Sequence, residues 1–121
     1  MKVLKITTDN AVEVVENDEK FVGYRTLSDG VGGMIEIVTL SDELTMWVNE
    51  EGKMDGLPYN NIASRLFDKV FGVFVDEIVG DVIISGGTDD DGETLGLTDD
   101  QIEKLTTVLD PYRPEWSGAS L

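Results

Sequence analysis

The sequence contains no cysteine and no histidine among its 121 residues. Without cysteine there is no disulfide, no thiolate zinc site and no cysteine nucleophile. Without histidine there is no imidazole metal ligand, no Ser-His-Asp triad and no side chain that readily transfers protons near neutral pH. Catalysis would have to depend on carboxylates, lysine, tyrosine or a hard cation bound by oxygen atoms. We therefore predict a non-enzymatic protein without metal or cofactor.

Basic residues are scarce, since 9 Lys and Arg face 25 Asp and Glu, for a formal net charge of −16. Residues 70–103 include no basic residue but ten acidic ones. Nucleic-acid affinity comes mostly from cations that neutralise phosphates, so direct DNA or RNA binding is not expected. The same negative field attracts a basic protein surface and accelerates its encounter. The alternative is that the charge only keeps a small protein soluble.

Long hydrophobic runs are also missing, because none approaches the roughly 20 apolar residues of a membrane-spanning helix. Lys2 and Lys5 are followed by no hydrophobic region of the secretory type, so we expect a cytoplasmic protein with no membrane contact. The length fits one domain with its own core. We predict a single domain over residues 1–110 and a C-terminal tail over 111–121, because Pro111 ends the last predicted helix.

In the first half of the chain, alternating apolar residues predict a hairpin from strands at 2–8 and 11–15. Asp18 can cap a short helix that ends by Gly30. A second hairpin is predicted from strands at 34–40 and 44–49. We expect the turn that follows it to use Gly52 with a positive φ.

In the second half, an amphipathic helix is predicted to start at Asn60–Asn61, with Ile62, Ala63, Leu66, Phe67 and Val70 on its apolar face. A strand follows at 78–85, an exposed loop at 86–92, and a helix opened by a capping box of Thr98 and Gln101. Because strands and helices do not alternate regularly, we predict an α+β fold. Its sheet is expected to be mostly antiparallel or mixed, with about three helices packed chiefly on one face. One core is expected to unite Ile35, Ile37, Leu66, Phe67, Ile83, Ile102 and Leu105.

Four glycine-containing motifs are spaced along the chain: Gly-Gly-Met-Ile-Glu-Ile-Val at 32–38, Asn-Glu-Glu-Gly-Lys at 49–53, Gly-Leu-Pro-Tyr-Asn at 56–60 and Ile-Val-Gly-Asp-Val at 78–82. Together they resemble a family of small acidic proteins of unknown function from bacteriophages, prophages and plasmids. The resemblance covers roughly residues 1–109. It implies a mobile-element origin, but it assigns no activity and no residue roles.

The segment 49–65 is the best candidate for a binding site. It leads into the N-terminus of a predicted helix, where free amides and the helix dipole favour an anion or a carboxyl group. The alternative is an ordinary turn and helix cap. The candidate ligand- or partner-binding residues in this segment are Asn49, Glu50, Lys53, Tyr59, Asn60 and Arg65.

Acidic residues provide a second group of candidates. Asp89, Asp90 and Asp91 form a candidate partner-binding loop, but they do not fit a calcium-binding EF-hand. In that alignment Gly87 and Thr98 would occupy ligand positions that require acidic residues, so no metal site is predicted. Two further carboxylates, Glu36 and Asp81, lie within apolar runs; they face solvent, or else they need a partner such as Lys53 or Arg65.

These observations lead to two main hypotheses. The first is a phage or mobile-element accessory protein that binds a host protein with a basic face; one form of it is mimicry of DNA by carboxylates. The alternative is a small-molecule or nucleotide-binding module that uses the segment 49–65. A carboxylate–magnesium enzyme is a third, weaker idea. Whether the protein is a monomer or a dimer is left open.

Overall fold

A computed structural model describes residues 1–73 and 75–112 of the chain. The strands are β1 (Lys2–Ile6), β2 (Val12–Glu16), β3 (Ile35–Thr39), β4 (Leu44–Asn49) and β5 (Val82–Gly86); the helices are α1 (Tyr24–Val31), α2 (Asn61–Phe71) and α3 (Asp99–Leu109), with a 3-10 turn at Asp110–Tyr112. The strands form one sheet in the order β2-β1-β5-β4-β3, and every neighbouring pair is antiparallel. The α+β prediction is confirmed.

Both predicted hairpins are present. The turn between β1 and β2 includes Asn10, whose φ of 68° is a left-handed conformation that asparagine tolerates better than most residues. The strand predicted from residue 78 begins only at Val82. Gly80, with a φ of 76°, turns the chain just before it, and the carbonyl of Ile78 accepts a hydrogen bond from the amide of Asn60 instead of joining the sheet.

The predicted position of α1 was wrong at both ends. The helix begins after Gly23 rather than at Asp18, because the amide of Val22 donates to the carbonyl of Thr94 at 2.9 Å and holds the preceding segment against another part of the chain. It also continues through Gly30, where a Cβ atom would lie 2.5 Å from Cγ1 of Ile83. Gly30 therefore allows close packing of the helix on the sheet, and Gly32 ends the helix with a φ of 80°.

The sheet separates two cores, so the prediction of one core was wrong. Val82 and Ile84 of β5 face α2 and α3, whereas Ile83 faces α1. Successive residues of a strand point to opposite faces, and β5 is buried on both. Two of the three helices in the described part of the chain thus share one face of the sheet. Of the predicted core residues, Leu66, Phe67 and Leu105 lie in the first core with Ile102 beside it, Ile83 and Ile35 belong to the second, and Ile37 is 54% exposed.

Smaller predictions also changed. Gly52 is buried and does not have a positive φ; Gly56, with a φ of 68°, makes that turn instead. Val70, predicted on the apolar face of α2, is 41% exposed at the end of the helix. The capping box of Thr98 and Gln101 is confirmed. None of the helices in residues 1–73 and 75–112 is long and apolar enough to cross a membrane. Most of the predicted tail, 113–121, lies outside the described residues.

Candidate functional site

The sheet places the two groups of candidate residues at opposite ends. β4 and β5 run antiparallel, with Trp47 paired to Ile83 and Leu44 paired to Gly86. Asn49 therefore lies at the end of the sheet where β5 begins, and residues 87–93 follow β5 at the other end. We call the first the loop end (residues 49–65 and 76–81) and the second the acidic end (residues 41–43, 87–93 and 98–101). The candidates form two surfaces, not one site.

At the loop end, Asn60 is fully buried and acts as a structural residue. Its amide nitrogen donates to the carbonyls of Ile6 at 3.0 Å and Gly80 at 2.9 Å, and its side-chain oxygen accepts from the amide of Ala63 at 3.0 Å. The side chain thus caps α2 and joins it to β1 and to the segment before β5. Because both N–H groups of its side-chain amide already donate to backbone carbonyls, Asn60 has no free donor for a ligand.

A second buried residue fixes the same region. The hydroxyl of Ser64 donates to the carbonyl of Ile78 at 3.2 Å and accepts from its amide at 2.9 Å. The amide of Gly80 donates to the carbonyl of Pro58 at 2.7 Å, and Tyr59 pairs with Val79 in an antiparallel bridge. These contacts hold residues 78–80 against the start of α2. Sequence reasoning missed Ser64, because it lies beside the predicted apolar face of α2 and its partner Ile78 is 14 residues away in the sequence.

The structure brings Lys53, Tyr59 and Arg65 together around an open cleft of about 580 Å³. Lys53 forms an ion pair and hydrogen bond with Asp76. That hydrogen bond, followed by one from the amide of Glu77, lowers the pKa of the Asp76 carboxyl from its ordinary value. The other carboxylates that line this cleft are Asp68 and Glu77. With three acids opposing two basic residues, the cleft has no net attraction for an anion.

Asn49 and Glu50 line a neighbouring, smaller cleft of about 230 Å³ between the sheet and α2. Asn49 is partly committed to the fold, because its side-chain oxygen accepts from the amide of Glu51 at 2.9 Å and its nitrogen donates to the carbonyl of Val31 at 3.3 Å. Glu50 is exposed. Glu36, also exposed, lines the same cleft. The pairing of β3 with β4 brings it close to Asn49 and Glu50, although it is 13 or more residues away from them in the sequence.

Asp81 has a different partner from those predicted. Its carboxylate accepts from the amide of Thr8 at 3.0 Å and lies 3.8 Å from the amino group of Lys5. Of the two alternatives, solvent exposure or a pairing with Lys53 or Arg65, neither describes Asp81 fully. It is partly exposed and contacts Thr8 and Lys5, because it directly precedes β5, which lies beside β1. Asp81 therefore supports the first hairpin.

At the acidic end, Asp89 stabilises its own loop while its neighbours face solvent. The carboxylate of Asp89 accepts from the amides of Asp91 and Glu93, both at 2.9 Å. Asp90 and Asp91 are exposed. Within residues 1–73 and 75–112, no group of three or more carboxylates is placed to hold a metal ion.

Two other segments reach the same surface. A Cβ atom on Gly87 would lie 2.2 Å from the carbonyl oxygen of Asp42, so the acidic loop packs directly on the turn between β3 and β4. The side chain of Gln101 donates to the carbonyl of Glu43 at 3.2 Å and attaches the start of α3 to that turn. The acidic end therefore combines carboxylates from three separate parts of the chain.

The sequence was compared with models of known protein families. A family model described as a domain of unknown function, DUF3846, matches residues 1–110. The chain belongs to this family. The match spans the sheet and the three helices found in residues 1–73 and 75–112, so the DUF3846 domain includes both candidate surfaces. Neither a curated protein nor a solved structure matches the chain.

Proposed function

We propose that this DUF3846 protein is a non-catalytic accessory protein of a phage or other mobile element. It acts in the host cytoplasm by binding a host protein that has a basic surface. The observation that supports this proposal most strongly is the acidic end. There, the turn 41–43, the loop 87–93 and the first turn of α3 present their carboxylates on one side of the molecule.

Few cations offset this charge. Lys2 pairs with Asp99 at 2.9 Å and Lys104 pairs with Asp100 at 3.0 Å, so both basic residues are engaged by α3. Asp42, Glu43, Asp90 and Asp91 are exposed and have no ion-pair partner among the described residues. Their field extends over about 8 Å at physiological salt, and it accelerates the approach of a basic partner.

Mimicry of DNA is one form of this proposal. In that case the carboxylates would stand in for phosphates in the cleft of a nucleic-acid-binding enzyme. Duplex DNA would then compete with the protein for its partner, whereas a partner that binds the acidic end in another way would be released only by salt.

The experiment is affinity capture from host lysate with three matched proteins. We expect the unmodified protein to retain a specific partner at physiological salt, and the double variant Asp90→Lys/Asp91→Lys to lose it. The control is Asp9→Lys/Glu13→Lys, which makes the same change in net charge at exposed positions of the first hairpin. The control should keep the partner. If all three recover the same abundant basic proteins, and salt removes them equally, the acidity serves solubility alone and the proposal is wrong.

A specific observation also favours the second candidate function, a small-molecule binding module. The cleft of Lys53, Tyr59 and Arg65 has about 580 Å³, within the roughly 300–1,000 Å³ that is usual for ligand pockets. Because three acids oppose two basic residues in this cleft, a neutral or cationic small molecule fits it better than an anionic nucleotide. A thermal-shift screen with neutral and cationic compounds, with nucleotides included for comparison, tests it, because binding to the native state raises the melting temperature. No shift at millimolar concentration of any of these compounds, or a shift that survives both Asp68→Ala and Arg65→Ala, would remove this candidate.

A further inference from the structure

β3 is an edge strand whose outward backbone groups can be identified. The amide of Glu50 donates to the carbonyl of Met34 at 2.8 Å, and the amide of Leu40 donates to the carbonyl of Leu44 at 3.0 Å. Hydrogen-bonded pairs alternate along an antiparallel ladder, so Glu36 and Val38 between them also bond to β4. The odd-numbered residues Ile35, Ile37 and Thr39 therefore point their N–H and C=O groups away from the sheet.

Nothing in residues 1–73 and 75–112 covers this edge with hydrogen bonds. Natural edge strands are usually protected by charged side chains, especially lysine, by proline, by a bulge or by a covering segment. β3 has the sequence Ile-Glu-Ile-Val-Thr, its register with β4 is unbroken, and the side chain of Ile37 is 54% exposed. The one charged residue of β3, Glu36, disfavours an acidic segment but not a basic one. Such an edge can accept an extended segment of another protein through main-chain hydrogen bonds.

The other face of β3 shows which side chains such a segment should have. Glu36 and Val38 line the cleft of about 230 Å³, together with Glu50 and Glu77 and the apolar side chain of Phe67. This volume is below the roughly 300–1,000 Å³ of small-molecule pockets, and it suits one long side chain. Lys53 also lines the cleft, but it is paired with Asp76. The three glutamates have no cation partner among the described residues.

We propose that β3 binds an extended segment of the partner protein, which adds a sixth strand and alternates apolar residues with Lys or Arg. Residues of this segment directly opposite Ile35 and Ile37 share their face of the sheet, which favours apolar side chains. The alternate residues lie beside Glu36, where a basic side chain can enter the acidic cleft. The inference rests on the proposed function, since it supplies the segment by which the host protein is recognised.

The direct test is a nuclear magnetic resonance titration of the ¹⁵N-labelled protein with the peptide acetyl-Val-Lys-Val-Lys-Val-Lys-Val-amide. We expect the amide signals of Ile35, Ile37 and Thr39 to shift, and their hydrogen exchange to slow by about tenfold or more as they become bonded. One control peptide has Glu in place of Lys. A second keeps the lysines but has N-methylated valines, which removes the N–H groups that would face β3. Neither control should bind.

Two pairs of variants localise the interaction. Glu36→Lys should weaken peptide binding by about tenfold or more through like-charge repulsion, whereas Glu13→Lys on the opposite edge should change it less than about twofold. Ile37 and Val14 are each the middle residue of a five-residue edge strand, exposed by 54% and 52%. Ile37→Pro removes one outward N–H and should abolish binding; Val14→Pro should not. The signals of β4 report whether each variant keeps its fold, and Glu36→Lys tests the proposal even if the proline variant unfolds.

Several outcomes would overturn this inference. Equal binding of the glutamate peptide would exclude the role of the cleft, and shifts at β2 rather than β3 would place the site elsewhere. Self-association that Ile37→Pro abolishes would show that a second copy occupies the edge. A lysate partner that depends on Asp90 and Asp91 but ignores Glu36→Lys and Ile37→Pro would overturn the edge proposal and leave the proposed function intact. Peptide binding at β3 without any specific lysate partner would support the edge as a binding site and overturn the proposed function.

Discussion

The loop end and the acidic end of the sheet are both rich in polar residues, but these residues have different roles. At the loop end, the buried side chains of Asn60 and Ser64 bond to backbone groups of distant segments. At the acidic end, Asp89 bonds only within its own loop, and Asp90 and Asp91 face water. The buried polar residues of the loop end thus stabilise the fold, whereas the exposed carboxylates of the acidic end remain available to a partner.

The two ends therefore offer different features to a partner: clefts of fixed shape at the loop end and negative charge at the acidic end. The loop end has clefts with fixed walls, because residues 78–80 are bonded to the start of α2. The acidic end provides a concentrated negative field on an exposed surface. Substitutions of its side chains should change this field without disturbing the core. We therefore expect substitutions of the buried Asn60 and Ser64 to affect stability, and substitutions of the exposed Asp90 and Asp91 to affect association rates.

The largest expected effects concern the scaffold that carries both ends. Leu66→Ala in the first core and Ile83→Ala in the second should each lower the free energy of unfolding by about 2–5 kcal/mol, because each leaves a cavity among buried side chains. Ile37→Ala, on the exposed edge, should cost less than about 0.5 kcal/mol. Urea denaturation measures all three. Costs below about 1 kcal/mol at both core positions would show that the sheet does not separate two packed cores.

The next largest expected effect is the loss of the buried side chain of Asn60 at the loop end. Asn60→Ala should cost about 3 kcal/mol, because it removes the cap of α2 and leaves the carbonyls of Ile6 and Gly80 buried without a donor. The neighbouring Asn61→Ala is the control and should change stability by less than about 0.5 kcal/mol. Similar values for the two variants would contradict the anchoring role of Asn60.

Asp89→Ala is the corresponding change at the acidic end. It should cost only about 1 kcal/mol, because the two amides released by the carboxylate lie in an exposed loop and can bond to water. Thr98→Ala, which removes the cap of α3, should cost a similar amount. A loss as large as that of Asn60→Ala would mean that the acidic loop is an integral part of the core, and the contrast would fail.

The smallest expected effect is the pH dependence of single carboxylates. The hydrogen bond from Lys53 lowers the pKa of Asp76 in the folded state, so this residue contributes stability above its unfolded pKa of about 3.9 and loses it as pH falls through the folded value. Asp76→Asn should therefore destabilise the protein at pH 7, by less than about 1 kcal/mol for an exposed pair, and the difference should shrink as the pH falls below about 3.9 toward the lowered pKa of the folded state. Asp91→Asn should be neutral or slightly stabilising at low salt, because it removes self-repulsion. Thermal unfolding between pH 3 and 7 distinguishes the two.

Local patterns predicted much of the fold and little of the site. Alternation located both hairpins, and Thr98 with Gln101 marked the start of α3. The start of α1 was missed, because the bond from Val22 to Thr94 joins residues that are far apart in sequence. The two cores were merged for a related reason, since the three successive apolar residues Val82, Ile83 and Ile84 do not reveal which of them faces which layer.

The sequence by itself determined the charge of the protein, the order of its elements and the caps that depend on neighbouring residues. Only the tertiary structure decided that Asn60 is an internal anchor, because its partners lie 54 and 20 residues away. It also decided that the candidate residues form two surfaces, because the antiparallel pairing of β4 and β5 sends residues 49–65 and 87–93 to opposite ends. Local hydrogen bonding and periodicity can be recognised along the chain, whereas burial and proximity depend on contacts between distant segments.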